Sequence, residues 1–395
     1  MAKVTRPRGN NTHKVRRPFG DPVEAPKPHH RFIPIPGQFA KPADLVLKLE
    51  SVLSKPVMDK IKQNNQLAFH LVGDTGGVNG TDIQDALANQ MEKQIQQSGD
   101  ADKPAFFYHV GDVVYYNGIS EHYEEQFYDP YKYYPTYIFA IPGNHDCDTK
   151  VNTGDQPDTE PSLLGFMTNF CDPTPSYGPY SPYRKTMNQP WPYWVLDTPY
   201  AVFVGLFSNV DGSLDADGDK TQFDWFVQQL KNAPKSKCLI VTMHHPPFSL
   251  DSVHGGYPAI LDDIDKASQK AGRNPDIVFS GHVHNYQRFT RKIKGKSYPF
   301  IVTGAGGYAD KPGSMHRMQL DQNNDQIATP FQTTRADLVL NYYNQTNPGY
   351  LKMVVDKQFI HGAYYVINFD GSKPPTSPDD EFKFDWKNNK PIPLV

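Results

Sequence analysis

With 395 residues, 40 Lys and Arg against 43 Asp and Glu (net charge −3) and 38% hydrophobic side chains, the chain is long enough to bury a substantial core. Its balanced charge argues against a coat for nucleic acid or an anionic membrane surface. Three widely spaced cysteines (Cys147, Cys171, Cys238) exclude a disulfide framework and a zinc-type Cys pair, and no apolar run reaches the length of a membrane span.

Residues 1–38 carry eight Lys/Arg against two Asp/Glu, with repeated Pro and almost no apolar pattern. This predicts a basic, extended tail lying over a single domain at 39–395. Arg16-Arg17 is followed by polar, Pro-rich sequence where an export signal needs an apolar run, which favours a cytoplasmic protein. His29 and His30 receive no role.

Leu45, Leu49 and Val52 recur at helical spacing before Pro56 and predict a short amphipathic helix. Residues 67–72 read as a strand ending in Gly73-Asp74-Thr75-Gly76-Gly77. Thr81-Asp82-Ile83-Gln84 fits a capping box, and Ile83, Leu87, Met91 and Ile95 line one helix face. A second strand, 105–110, ends in Gly111-Asp112-Val113-Val114-Tyr115-Tyr116. An aromatic, acidic stretch (121–134), helical in part, separates it from the run 137–141, which leads into Gly143-Asn144-His145-Asp146-Cys147-Asp148. A polar loop follows each strand, the signature of a layered α/β sheet with its site at the strand C-terminal ends.

Residues 149–192 are rich in Pro, Tyr, Ser and Asn and predict a long loop that sets specificity. Strand-like runs follow at 193–196 and 200–207. Residues 211–219 match part of a calcium loop, but Asp224 stands where the bidentate Glu belongs, so an ordinary acidic loop is expected. Phe223, Phe226, Val227 and Leu230 mark a helix. The buried run 238–243, with Cys238 as a small core residue, ends in His244-His245-Pro246-Pro247. A helix at 260–271 stops at Gly272, and strand 277–280 ends in Gly281-His282-Val283-His284. Strand-like runs at 300–303, 350–355 and 363–369 follow, and the Pro/Asp/Lys-rich C-terminus reads as a surface tail.

Five strands thus end in hard or borderline metal ligands: Asp74; Asp112 with Tyr115; Asn144; His244; and His282 with His284. Two metals need about seven or eight donors and a bridging carboxylate, and the sequence supplies that number at one expected sheet edge. His282 and His284 alternate, so on a strand both face one way, and ligation offsets the cost of turning two imidazoles toward a core. Arg288 reads as a packing or ion-pair residue, and His70, His122 and His316 default to structural roles.

This order of motifs resembles the calcineurin-like metallophosphoesterase superfamily and, within it, the purple acid phosphatases, over residues 67–310. Most relatives carry Asp-x-His in the first motif; here that His is missing, and Tyr115 stands three residues after the second Asp. The resemblance implies an α/β fold, a layered α-β-β-α sandwich of two mixed sheets. A plant-type N-terminal β-sandwich does not fit, since about 66 residues precede the first motif. It also implies Fe(III) held by Asp74, Asp112, Tyr115 and His284. A divalent ion (Fe, Zn or Mn) would be held by Asp112, Asn144, His244 and His282, with Asp112 bridging. Phenolate suits Fe(III), while Asn and two imidazoles suit a softer divalent ion.

By the same resemblance His145 lies over the substrate phosphate, with Asp146 as its orienter. His245 sits beside a ligand. His254 matches a phosphate-contacting histidine by spacing alone. The implied reaction is hydrolysis of phosphoric monoesters, on a small molecule or phosphoprotein, by in-line attack of metal-bound hydroxide; His145 or His254 would protonate the leaving group. A phosphodiesterase or nucleotide hydrolase would use the same site. A non-catalytic scaffold predicts missing ligands, and none is missing. No nucleic acid partner is expected, and nothing in the sequence fixes an oligomeric state.

Overall fold

The computed structural model describes residues 19–23, 34–77, 80–147, 160–178, 181–214, 220–308, 315–367 and 377–394. Arg16-Arg17, His29, His30, Asp148 and residues 215–219 of the acidic loop lie outside the described residues. The strands are β1 (Val46–Lys48), β2 (Gln66–Val72), β3 (Pro104–His109), β4 (Tyr137–Ala140), β5 (Trp194–Asp197), β6 (Ala201–Gly205), β7 (Cys238–Met243) and β8 (Ile277–Ser280). They continue with β9 (Tyr286–Ile293), β10 (Lys296–Thr303), β11 (Phe331–Gln332), β12 (Leu338–Asn344), β13 (Gly349–Asp356), β14 (Phe359–Val366), β15 (Asp380–Asp385) and β16 (Lys390–Ile392). The helices are α1 (Lys55–Asn64), α2 (Asp82–Gln97), α3 (Asn144–Cys147), α4 (Leu164–Phe170), α5 (Thr221–Asn232) and α6 (Pro258–Ala271).

Two mixed sheets result. One has nine strands in the order β1-β5-β6-β7-β8-β10-β9-β12-β11, the other seven in the order β16-β15-β14-β13-β2-β3-β4. Strand alternation explains the layers. Phe203 and Ile240 point inward to meet Phe69, Phe106 and Phe139 of the other sheet, while their neighbours Val202, Val204, Leu239 and Val241 point outward to α5 and α6. On the opposite face Val72 and Phe107 pack under Ile83, Leu87 and Met91 of α2. This is the α-β-β-α sandwich. Truncating an inner Phe to Ala costs about 3–5 kcal/mol at such sites.

Four local expectations fail. Leu45, Leu47 and Leu49 are buried in alternation, so the predicted first helix is strand β1, paired with β5 through Val46 and Val195, and a short 3-10 turn. Pro56 then sits in the first turn of α1, where its missing N–H costs nothing. The capping box at Thr81 does not form, because Gln84 reaches instead for the Gln126 carbonyl (2.6 Å) and Thr75 Oγ1 (3.2 Å). The long loop after 149 contains α4. The C-terminus is no surface tail: it forms β15 and β16, with Phe382, Phe384 and Trp386 buried. Arg288 pairs with Asp380 there through two hydrogen bonds of 2.7 and 2.8 Å. Among the described residues, no helix is long and apolar enough to cross a membrane.

Candidate metal centre

The strands that end in ligand-type residues belong to both sheets, not to one edge. β2, β3 and β4 run parallel in the seven-stranded sheet and β7 and β8 run parallel in the other, so all five C-terminal ends converge across the sandwich. A backbone bond from Gly73 N–H to Thr303 O (3.0 Å) joins the two edges, while Asp74 N–H to Gly111 O (2.9 Å) and Gly281 N–H to His244 O (2.9 Å) tie neighbouring strand ends within each sheet. Asp74, Asp112 and His282 all have left-handed backbone, at φ +59°, +53° and +66°. That conformation is costly for non-glycine residues, and three of them on three turns mark a site where side-chain direction outweighs local strain. His282 and His284 therefore sit in a turn beyond β8, not on a strand. At Gly111 (φ +98°) a Cβ would lie 2.5 Å from His244 Nδ1, and at Gly143 one would meet Asp112 Oδ1 at 2.1 Å, so both close approaches require glycine.

The side chains form two groups. In the first, Tyr115 Oη lies 3.1 Å from Asp74 Oδ1 and 3.4 Å from His284 Nε2, and His284 Nε2 lies 3.4 Å from Asp74 Oδ1. In the second, Asp112, His244 and His282 bring one ligand atom each within 4.8 Å of one another, and His282 Nδ1 lies 2.9 Å from Asn144 Oδ1. Asp112 Oδ2 lies 3.2 Å from His244 Nε2, yet neither atom has a hydrogen bond and both are buried. His244 Nδ1 faces the Val110 carbonyl at 3.0 Å and donates to it, so Nε2, when neutral, aims its lone pair at a carboxylate oxygen. Either a proton on His244 or a bound cation supplies the positive charge the pair requires.

The protonation equilibria express the same demand. Burial raises the Asp74 carboxyl to about 8, helped by the Asp112 charge. Burial also acts to raise Asp112, but the His244 and His145 imidazoles outweigh it and hold that carboxyl below its usual range. Burial lowers His244, yet the Asp112 and Asp74 carboxylates lift it to about 9. Tyr115 is pushed well above a free phenol by burial and by Asp112 and Asp74. Burial and the surrounding imidazoles keep His282 and His284 neutral, the ligating form. The donors therefore fit bound cations, in chemistry and in their need for positive charge.

His145 rests on this centre by donating its backbone N–H to Asp112 Oδ1 (2.9 Å), with its ring 4.6 Å from that of Tyr115. The expected orienter is wrong. His145 Nδ1 lies 2.7 Å from the Tyr116 carbonyl, whereas both Asp146 oxygens accept backbone N–H groups, from Val113 (3.0 and 3.1 Å), Val114 (3.1 Å) and Gly143 (2.8 Å). Three backbone donors compete for a fully buried carboxylate and win, so Asp146 ties the second motif to the third. Cys147 is buried, with its thiol 3.3 Å from the Asn144 carbonyl.

The His254 ring lies tilted 4.6 Å from the His282 ring, held by a loop around Asp251, whose carboxylate accepts N–H groups from Val253, His254 and Gly255. Residues 19–23 brace that loop: the Pro22 carbonyl accepts from Ser249 (3.0 Å) and Gly256 (3.1 Å). Sequence reasoning missed several neighbours. The Tyr257 hydroxyl lies 2.7 Å from His282 Nε2, and Ser208 Oγ lies 2.8 Å from His245 Nδ1. His316, expected to be structural, stacks 4.2 Å from the His284 ring and lies tilted 4.9 Å from that of His254. The Asp-Ser-Val-His-Gly run at 251–255 could have signalled the loop. No local pattern marks Tyr257 or His316.

The calcineurin-like phosphoesterase family model matches residues 67–286, more than half of the chain, and the chain belongs to that family. Among curated relatives it is 26% identical over 135 residues to purple acid phosphatase 21 of Arabidopsis thaliana, covering 32% of this chain and 29% of that protein. It is 29% identical over 99 residues to purple acid phosphatase 22 of the same plant, covering 24% and 23%. The chain thus matches less than a third of the length of these relatives. Among solved structures, purple acid phosphatase PPD1 from yellow lupin superposes with a TM-score of 0.57 at 16% identity, over 81% of this chain and 54% of that one. GAP50, the anchor in the inner membrane complex of Plasmodium, does so with 0.53 at 14% identity, over 81% and 89%. Both likenesses concern the fold.

Proposed function

We propose that the chain is a binuclear metal-dependent phosphoric ester hydrolase, a purple acid phosphatase-like phosphomonoesterase acting on a phosphorylated small molecule or phosphoprotein. One observation carries the proposal: Asp112, His244 and His282 bring one ligand atom each within 4.8 Å of one another, Asp74, Tyr115 and His284 form a second group of donors, and the buried Asp112 Oδ2 and His244 Nε2 lack any hydrogen-bond partner. Asp74, Asp112, Tyr115 and His284 would hold Fe(III), and Asp112, Asn144, His244 and His282 a divalent ion (Fe, Zn or Mn). Such a pair supplies Lewis-acid neutralisation of phosphoryl oxygens and a more acidic water.

The remaining work falls to the chain. With His282 Nε2–H donated to Tyr257, Nδ1 keeps its lone pair toward Asn144. His145, with Nδ1–H given to the Tyr116 carbonyl, presents Nε2 to the substrate. His145 and His254 stand at the half-exposed mouth and serve to hold phosphoryl oxygens and to protonate the leaving oxygen. Asp146 acts by fixing the turn, not by touching substrate.

The test compares p-nitrophenyl phosphate with its bis ester on one metal-analysed sample. Monoester turnover should dominate and should fall with chelation. Preference for the bis ester would make the chain a phosphodiesterase on the same site. Absence of both activities in a sample carrying two ions per chain would favour a non-catalytic scaffold, in line with the anchor role of GAP50 in Plasmodium.

A further inference from the structure

We infer that the chain carries a second anion site, for a small ligand bearing several phosphate-type charges, at the end of the sandwich opposite the metal centre. A cleft of about 910 Å³ opens where the N-terminal ends of β8 and β10 meet the turn between β15 and β16. That volume is within the range of small-molecule sites. Asp276 at its floor precedes His282 by six residues of mostly extended chain, roughly 20 Å, so this cleft is not part of the metal centre.

The lining is cationic in a way the chain as a whole is not. Lys235, Arg273, Lys294, Lys296 and Lys387 reach it from four separate segments, in a protein of net charge −3. The acidic groups nearby are already engaged. Asp265 accepts two hydrogen bonds from Arg291 (2.6 and 2.8 Å), and Asp276 Oδ2 accepts the Leu239 N–H at 2.7 Å. Arg273 gives Nη1 to the Ala233 carbonyl and keeps Nη2 3.7 Å from Asp276. Among the described residues no ion pair engages Lys235, Lys294, Lys296 or Lys387, whose heads are exposed. The site is fixed underneath. Ser297 N–H bonds the Asn389 carbonyl at 2.9 Å, joining the two sheets, and Trp386 is 3% exposed with its indole N–H on the Asp356 carbonyl.

Several lysines on a fixed frame neutralise a multiply charged anion as point charges, and a monoanion would leave most of them unmatched. The occupant the charge selects is therefore a polyphosphate chain, free or as part of a nucleotide.

Calorimetric titration of inorganic tripolyphosphate, and separately of ATP, into the full chain stripped of divalent ions tests this. The wild type should bind one equivalent of tripolyphosphate with an affinity that falls as salt rises. Lys294→Gln/Lys296→Gln, two exposed changes on a hairpin, should weaken it about tenfold or more. Asn144→Ala should leave it unchanged. Equal affinity for the two probes assigns the site to the phosphate chain alone, and tighter ATP binding adds a base contact; both agree with the proposal. No binding, or binding lost in Asn144→Ala but kept in the lysine variant, overturns it.

Discussion

The two halves of the candidate metal centre are built from different materials, although both hang on the C-terminal ends of parallel strands. One side gathers a carboxylate, a phenol and one imidazole (Asp74, Tyr115, His284), with Tyr115 pushed well above a free phenol and Asp74 raised to about 8. The other gathers a neutral amide oxygen and two imidazoles (Asn144, His244, His282) around Asp112. The first group becomes a set of hard anions only when a strong positive charge offsets burial. Burial and neighbouring imidazoles keep one imidazole neutral on each side, His284 in the first and His282 in the second, whereas the Asp112 and Asp74 carboxylates lift His244 against burial to about 9. On the proposed reading, this contrast in protonation state and donor softness is what would sort two unlike ions within one pocket.

The largest test of this contrast removes Asp112, the residue proposed to serve both halves. Asp112→Ala is expected to lose both ions, to lower turnover by more than about a thousandfold, and to leave the fold intact by circular dichroism. Retention of two ions per chain would mean that the halves are independent. Next, Asn144→Ala should drop metal content from two ions to one and cut kcat by about a hundredfold, the remaining ion being the one held by Asp74 and Tyr115. Full metal content with full turnover would remove Asn144 from the second half.

A smaller effect separates orientation from anchoring. Asp146→Ala leaves three buried backbone N–H groups unpaired, at about 1–3 kcal/mol each before water repairs some of them. Urea unfolding should therefore register the change more strongly than the pH profile of kcat. A shifted pH profile with unchanged stability would restore Asp146 as the partner of His145.

Away from both halves, His70 is buried between Tyr134 and Gln94, and burial lowers it to about 3 against an ordinary value of 6.5. Neutral His70 stabilises the fold above pH 6.5, and that contribution is lost as pH falls from 6.5 toward 3, by up to about 1.4 kcal/mol per pH unit. His70→Gln should flatten the dependence of the urea midpoint on pH in that window; parallel curves would contradict it. Smallest of all, removal of residues 1–23 takes away the Pro22 carbonyl that braces the His254 loop. A KM increase of a few-fold with unchanged metal content is expected, and no change would make the brace dispensable.

Much of the fold was legible because the inner strands are long apolar runs and α2, α5 and α6 keep a helical period. Where a residue served two elements, local reading failed. Leu45 and Leu49 fit a helical spacing, but Leu47 between them is buried too, which only a strand explains. Gln84 left its cap for long-range partners, and the C-terminal strands hid among charged residues because their buried Phe382, Phe384 and Trp386 alternate with polar ones. At the site, strand-end residues stood out, since polar groups behind buried strands are costly without a use. Tyr257, His316 and Ser208 come from turns with no such contrast, and the role of Asp146 depended on backbone donors that no side-chain pattern reveals.

The central claim, that a hard phenolate half faces a softer imidazole half, is tested most directly by metal analysis and a visible absorption spectrum of the purified chain and of Tyr115→Phe. The wild type should carry two ions, one of them iron, with an absorption band in the visible that gives a purple colour. Tyr115→Phe should lose the band while keeping the divalent ion on Asn144, His244 and His282. An unchanged spectrum in that variant, or a colourless wild type with two ions bound, would contradict the assignment.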